Sequence, residues 1–162
     1  HDALPIYYIM NEVSVNLLHD KLSINSTITK KLFISRRNCS LIRLTNQNEI
    51  EKIFKEYGYE VIYPEEMSFQ EQLKIFSKAE FIAGASGAGF TNILFANKNA
   101  KIICILPKEI KLTCYSNIAG VLGQECYYLD AKIHYNTSTV YYQDSFELEE
   151  EYLRKFLESF KH

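Results

Sequence analysis

Residues 80–95, EFIAGASGAGFTNILF, decide how this chain is read. Glu80-Phe81-Ile82-Ala83-Gly84 has the apolar, strand-forming character of a β-element, and it runs directly into the small residues Ala85-Ser86-Gly87-Ala88-Gly89. Phe90-Thr91-Asn92-Ile93-Leu94-Phe95 then reads as a helix. Half of the six glycines, Gly84, Gly87 and Gly89, fall in this short stretch, so the turn is built for close backbone approach rather than for side-chain bulk.

Working outward, the same alternation recurs on both sides. Upstream, Ser68 stands three residues before Glu71 and opens a helix through Leu73 and Phe76, and Glu60-Val61-Ile62-Tyr63 is a strand closed by Pro64. Asn46 stands three residues before Glu49, and Ile50, Ile53, Phe54 and Tyr57 recur at helical spacing before Gly58. Residues 31–37, KKLFISR, form the first strand, and 11–22 an N-terminal helix. Downstream, 101–106, KIICIL, is the nearly continuous apolar run of a strand buried on both faces, ended by Pro107. A helix over about 112–122 and a strand over 126–129 follow, and 147–160 is an amphipathic closing helix with Leu148, Leu153, Phe156 and Phe160 on one face. Residues 131–146 carry no clear period. Strands alternating with helices predict right-handed crossovers, hence an α/β, doubly wound, Rossmann-like three-layer domain with a mainly parallel sheet of order 2-1-3-4-5.

The 162 residues suit one domain, with no internal repeat or linker to divide it. A hydrophobic content of 47% against 23% charged residues is that of a folding chain, and a net charge of -2 argues against nucleic acid as partner. No apolar run is long enough for a bilayer span. The first residue is His1 rather than Met, which is expected of a piece of a longer protein; a cytoplasmic place is expected, membrane-peripheral if that longer protein carries an anchor. Cys39, Cys104, Cys114 and Cys126 form no CxxC pair and read as buried free thiols. The four histidines are scattered, and the four aspartates contain no DxD pair, so phosphate chemistry is expected to proceed without a metal held by such a pair.

In a sheet of this order ligands lie beyond the strand ends where the order reverses, between the first and third strands. The loops there are Ser35-Arg36-Arg37-Asn38 and the glycine turn. Small residues at a strand-to-helix turn let backbone N–H groups approach an anion, and a helix N-terminus adds partial positive charge. A pyrophosphate fits between that turn and one or both arginines, only one of which should face the crevice, because strand side chains alternate. The turn is neither GxGxxG nor a P-loop, and tight helix–sheet packing alone would also use its glycines. Asn46 and Ser68 suit helix caps, Thr91 and Asn92 surface or packing roles, and Tyr7, Tyr8, Tyr141 and Tyr142 core or edge-strand positions.

The ordered strings SRRNCSLIRLTNQNEI, YGYEVIYPEEMSFQEQLKIFSKAEFIAGASGAGFTNILF and KIICILP together resemble glycosyltransferase family 61, which includes bacterial capsular-polysaccharide, plant xylan-decorating and eukaryotic O-linked sugar transferases. The features that carry the resemblance are the arginine-ended first strand, Arg43 and Asn46 before the first helix, Pro64 with Ser68-Phe69 and Gln72, and the Gly-Ala turn followed by Asn92 and Phe95. It runs from about Lys31 to Pro107 and more weakly through YSNIAGVLGQECYYL to the final helix.

The resemblance implies the nucleotide-sugar half of a two-domain GT-B enzyme, inverting and metal-independent, with no cofactor beyond a donor of UDP type. The glycan or other acceptor would be held mainly by an N-terminal domain outside this chain. The implied donor residues are Arg36, Arg37, Arg43, Asn46, Gly84, Ser86, Gly87, Ala88, Gly89, Thr91 and Asn92, with the nucleoside near Tyr63, Pro64 and Ser68. The family usually has His where this chain has Ser86, and serine can donate to a phosphate or sugar hydroxyl but cannot act as cation or efficient general base. No catalytic base is nominated. That departure motivates an alternative, a non-catalytic nucleotide-binding or assembly domain; a phosphorylated receiver domain is disfavoured because the third strand ends at Gly84 rather than an aspartate.

Overall fold

A computed structural model describes residues 11–22, 24, 29–37, 43–110, 112–134 and 144–160. Five parallel strands, β1 (Lys30–Ile34), β2 (Glu60–Ile62), β3 (Ala79–Ala85), β4 (Lys101–Ile105) and β5 (Glu125–Leu129), form one sheet of order β2-β1-β3-β4-β5, as the alternation predicts. Leu32 and Ile34 point to one face and Phe33 to the other, because strand side chains alternate. The sheet is therefore buried on both sides. On the first face lie α1 (Glu12–Leu22), α3 (Phe69–Phe76), α4 (Cys114–Leu122) and a 3-10 helix, Ala88–Phe95; their residues Val15, Phe76, Ile93 and Ile118 meet Leu32, Ile82 and Ile102. On the second lie α2 (Gln47–Glu56) and α5 (Glu150–Glu158), whose Ile50, Phe54, Leu153 and Leu157 cover Phe33, Ala83 and Ile103.

The helix ends that the sequence marks with Ser68, Gly58 and Asn46 follow local chemistry, with one exception. Ser68 caps α3 in a reciprocal capping box, accepting from the Glu71 N–H at 3.3 Å while the Glu71 carboxylate accepts from the Ser68 N–H at 2.8 Å. Gly58 follows α2 with φ +83°, a conformation glycine adopts without strain. Asn46 is the exception. It sits at the cap position of α2 but makes no side-chain cap bond; its amide donates to Leu148 O at 2.8 Å and accepts from Leu148 N–H at 3.3 Å, tying α2 to the C-terminal segment.

Several boundaries move for identifiable reasons. The first strand ends at Ile34, before both arginines, and the last helix begins at Glu150 because Ser145–Glu147 form a strand, β7, antiparallel to β6 (Lys132–His134). Residues 90–95 continue a 3-10 helix that begins at Ala88. Thr91 Oγ1 donates to Ala88 O and Asn92 Nδ2 to Gly89 O, and such local side-chain bonds compete with α geometry. His19 of α1 bonds Leu94 O at 2.8 Å and supports that helix from outside. Cys104, Cys114 and Cys126 are free, and burial raises the pKa of all three, that of Cys126 to about 11; Cys39, Tyr7, Tyr8, Tyr141 and Tyr142 lie outside the described residues. Among the described residues no helix is long and apolar enough to cross a membrane.

Candidate functional site

The order β2-β1-β3-β4-β5 reverses direction between β1 and β3, and there a cavity of about 570 Å³ opens at the strands' carboxyl ends. Its floor is Ile34, Ser35 and Ala85 at the ends of β1 and β3. Arg36 forms one wall, Pro64, Glu65 and Gln72 a second, and Gly87, Ala88, Gly89, Phe90, Thr91 and Asn92 a third. The crevice expected from strand order is therefore present, with one arginine in it.

Arg36 reaches the glycine turn with its Nη1 end. A Cβ built on Gly87 would stand 1.7 Å from Arg36 Nη1 and 2.7 Å from Cζ, so only a glycine admits the guanidinium in this position. Gly87 itself is extended, with φ 169° and ψ 174°, and its need for glycine comes from that neighbour rather than from strain. Gly89 has room to spare: its added Cβ would make ordinary contacts with Ile34 at 3.5 Å and Pro64 at 3.6 Å.

The second arginine takes another role. Arg37 pairs with Glu51, which is 1% exposed, and its guanidinium lies 6.0 Å from the Tyr63 ring. Ser35 Oγ donates to Glu51 Oε1 at 2.6 Å, and Gln47 Nε2 donates to both Ser35 Oγ at 2.8 Å and Glu51 Oε1 at 2.9 Å. This network bolts the end of β1 to α2, and it fixes the loop from which Arg36 projects. Glu51→Ala is expected to cost about 1–3 kcal/mol, the penalty of stranding buried donors, read as a lowered urea midpoint with an unchanged slope.

Arg43 and Ser86 sit behind the cavity and face each other. Ser86 is fully buried, Arg43 is 8% exposed, and Arg43 Nη1 approaches Ser86 Oγ at 3.4 Å while its guanidinium lies 5.3 Å from the Phe146 ring. Among the described residues, Arg43 Nε and Nη2 are buried and find no acceptor. Burial, and then the like charge of Arg36, lower the Arg43 pKa from its ordinary value. Two guanidinium groups near one another in a partly desolvated place is an arrangement that an anion would relieve.

The other expected donor residues divide clearly. Pro64, Ala88, Gly89, Thr91 and Asn92 line the cavity, although Asn92 Nδ2 is spent on Gln72 Oε1 at 2.8 Å and Gly89 O at 3.1 Å. Gln72 in turn donates to Pro64 O and Met67 O, so Gln72 and Asn92 clamp two cavity walls together. Tyr63, Ser68, Asn46 and Arg37 do not line it, and Gly84 lies inside the sheet between Ile34 and Cys104. Sequence reasoning placed Ser35 in the crevice loop without giving it a role, and missed Glu65, Phe90, Glu51 and Gln47. Gln72, one of the features that carry the resemblance, lines the cavity as well.

With this geometry in view, the profile of the family described as Glycosyltransferase 61 matches residues 3–103. The chain belongs to that family. The matched residues supply β1 to β3, the glycine turn and every cavity wall. The family 61 chain is also similar to the alpha-1,3-arabinosyltransferase XAT2 of Oryza sativa subsp. japonica, 38% identical over 80 residues, which are 47% of this chain and 13% of the relative. Most of that relative's length is thus outside the alignment.

Proposed function

We propose that this chain is the donor-binding part of a glycosyltransferase, holding the diphosphate of a nucleotide sugar, probe ligand UDP, in the cavity between β1 and the glycine turn. The observation that carries the reading is Arg36, with its guanidinium end packed against Gly87 on the wall of a cavity at the topological switch point. The 3-10 helix begins on the same wall, and its first amides, Ala88 and Gly89, have no carbonyl within the helix to serve. Family membership supports glycosyl transfer as the chemistry.

In the proposed mechanism the acceptor oxygen attacks the anomeric carbon from the face opposite the nucleoside diphosphate, inverting the centre as the C–O bond to phosphate breaks. Negative charge accumulates on the leaving diphosphate, and Arg36, with Arg43 behind it, stabilises that charge where it develops. Ser86 is buried against Arg43, which suits a supporting role rather than proton abstraction. The acceptor and the base that deprotonates it would come from the rest of a longer two-domain protein. The nucleoside would extend past Pro64 and Glu65, which line the second wall.

The positive charge that faces the leaving group is assigned to arginine in this reading, and the sequence offers no DxD pair. Calorimetric UDP affinity of the intact protein should therefore stay within about twofold when EDTA replaces magnesium. Binding that disappears with the metal would overturn the metal-independent part of the proposal, and a protein that binds no nucleoside diphosphate under either condition would overturn the donor reading itself.

A further inference from the structure

We infer that Tyr115 is a positioning residue for the diphosphate site, holding Gly87 and through it the Arg36 guanidinium; the inference rests on the donor reading above. Tyr115 belongs to α4, outside residues 3–103 and outside the cavity wall. Its hydroxyl donates to Gly87 O at 2.8 Å and accepts from Gly87 N–H at 3.1 Å, so both backbone polar groups of one residue close on a single oxygen. The ring is 4% exposed and rests against Phe90, with centroids 5.1 Å apart.

This clamp decides which groups meet the ligand. Gly87 precedes the 3-10 helix in extended conformation, so no regular helix bond fixes its N–H, and Tyr115 takes it instead. The Gly87 amide is thereby removed from the set that could face an anion, and the flat surface left at its Cα becomes the seat of Arg36. Arg36 is close enough to Tyr115 to act on it electrostatically. Gly87 O also accepts from the Phe90 N–H at 2.9 Å, so without the hydroxyl the Gly87 N–H is the group left unsatisfied and the turn that seats the guanidinium loses its tie to α4. Tyr115 thus acts on the ligand only through Arg36.

That indirect route is what an experiment can read. UDP and uridine are titrated calorimetrically into the intact protein and its Tyr115→Phe, Arg36→Ala and doubly substituted forms, with melting temperatures measured alongside. Tyr115→Phe should fold with a modestly lowered melting temperature and weaken UDP binding about 5- to 30-fold while uridine binding changes little, and the double variant should bind UDP no worse than Arg36→Ala alone. Unchanged UDP affinity in Tyr115→Phe, losses that add in the double variant, or equal losses for UDP and uridine would each overturn the inference. A Tyr115→Phe chain that does not fold would do so as well, by making the phenol a structural support. Intact protein that binds neither ligand defeats the donor reading and this inference with it, whereas wild-type binding that Tyr115→Phe leaves untouched defeats only the inference.

Discussion

Arg36→Ala is expected to weaken UDP binding by about 1.5–3 kcal/mol, roughly 10- to 150-fold, the range for hydrogen bonds to a charged group. Uridine, which has no phosphate, should bind almost as before. The contrast with its neighbour makes the result specific. Arg37 is committed to the buried Glu51 carboxylate and lies outside the cavity, so Arg37→Ala should leave UDP affinity nearly intact while lowering thermal stability. Parallel titrations of both variants with both ligands check this. Equal losses for UDP and uridine, or a larger UDP loss from Arg37→Ala than from Arg36→Ala, would contradict the assignment of the cavity-facing charge.

Alanine at Gly84 of β3 and at Gly87 and Gly89 of the turn should give three different outcomes, because each added Cβ meets a different kind of atom. At Gly87 the obstacle is the end of a flexible side chain, Arg36 Nη1 at 1.7 Å, which can swing away. Gly87→Ala should therefore keep a near-native melting temperature and lose UDP affinity about as Arg36→Ala does, roughly 10- to 150-fold. At Gly84 the obstacle is the backbone, Ile34 O at 2.8 Å, with φ at +157°, and neither can yield without opening the β1–β3 pair. Gly84→Ala should cost about 1–3 kcal/mol of stability. At Gly89 the neighbours are at ordinary distance, and Gly89→Ala should fold normally. Melting curves and UDP titrations on the three variants separate a glycine needed for ligand from a glycine needed for packing. A Gly87→Ala protein that folds and still binds UDP tightly would remove the turn from the site.

The architecture was legible because the signals that specify it are local. Lys31 to Ile34, Glu60 to Ile62 and Lys101 to Ile105 are short apolar runs between turn residues, and Ile50, Ile53 and Phe54 keep helical spacing. The β6–β7 pair was not legible, since two three-residue strands carry too little period to register. The site was legible only in outline. Strand order pointed to a crevice that is present as a cavity lined by Arg36 and not Arg37, but strand alternation does not account for that choice, because β1 ends at Ile34 before both arginines. Which one enters depends on Glu51, a partner 14 residues away whose burial no local pattern announces. Asn46 carried a sound capping signal, but Leu148, 102 residues on, takes its amide instead. Tyr115 was invisible for the same reason, its bonds to Gly87 spanning 28 residues.

The pairing of β1 with β3, the central strand, has a consequence for how binding and folding are linked. Arg36 hangs from the end of β1, the opposite wall begins at the end of β3, and these two strands pair with each other although some fifty residues of chain separate them: Lys31 is in register with Phe81 and Ile34 with Gly84. Closing that long loop is an entropic cost met only when the sheet's centre assembles, so no partly folded form that lacks the β1–β3 pair can present the cavity. Under that constraint a ligand of the cavity would bind the native state alone. A ligand at a hundred times its dissociation constant would then add about 2.7 kcal/mol to the whole sheet rather than to a loop, and the slowest-exchanging amides of β1 and β3 would slow together.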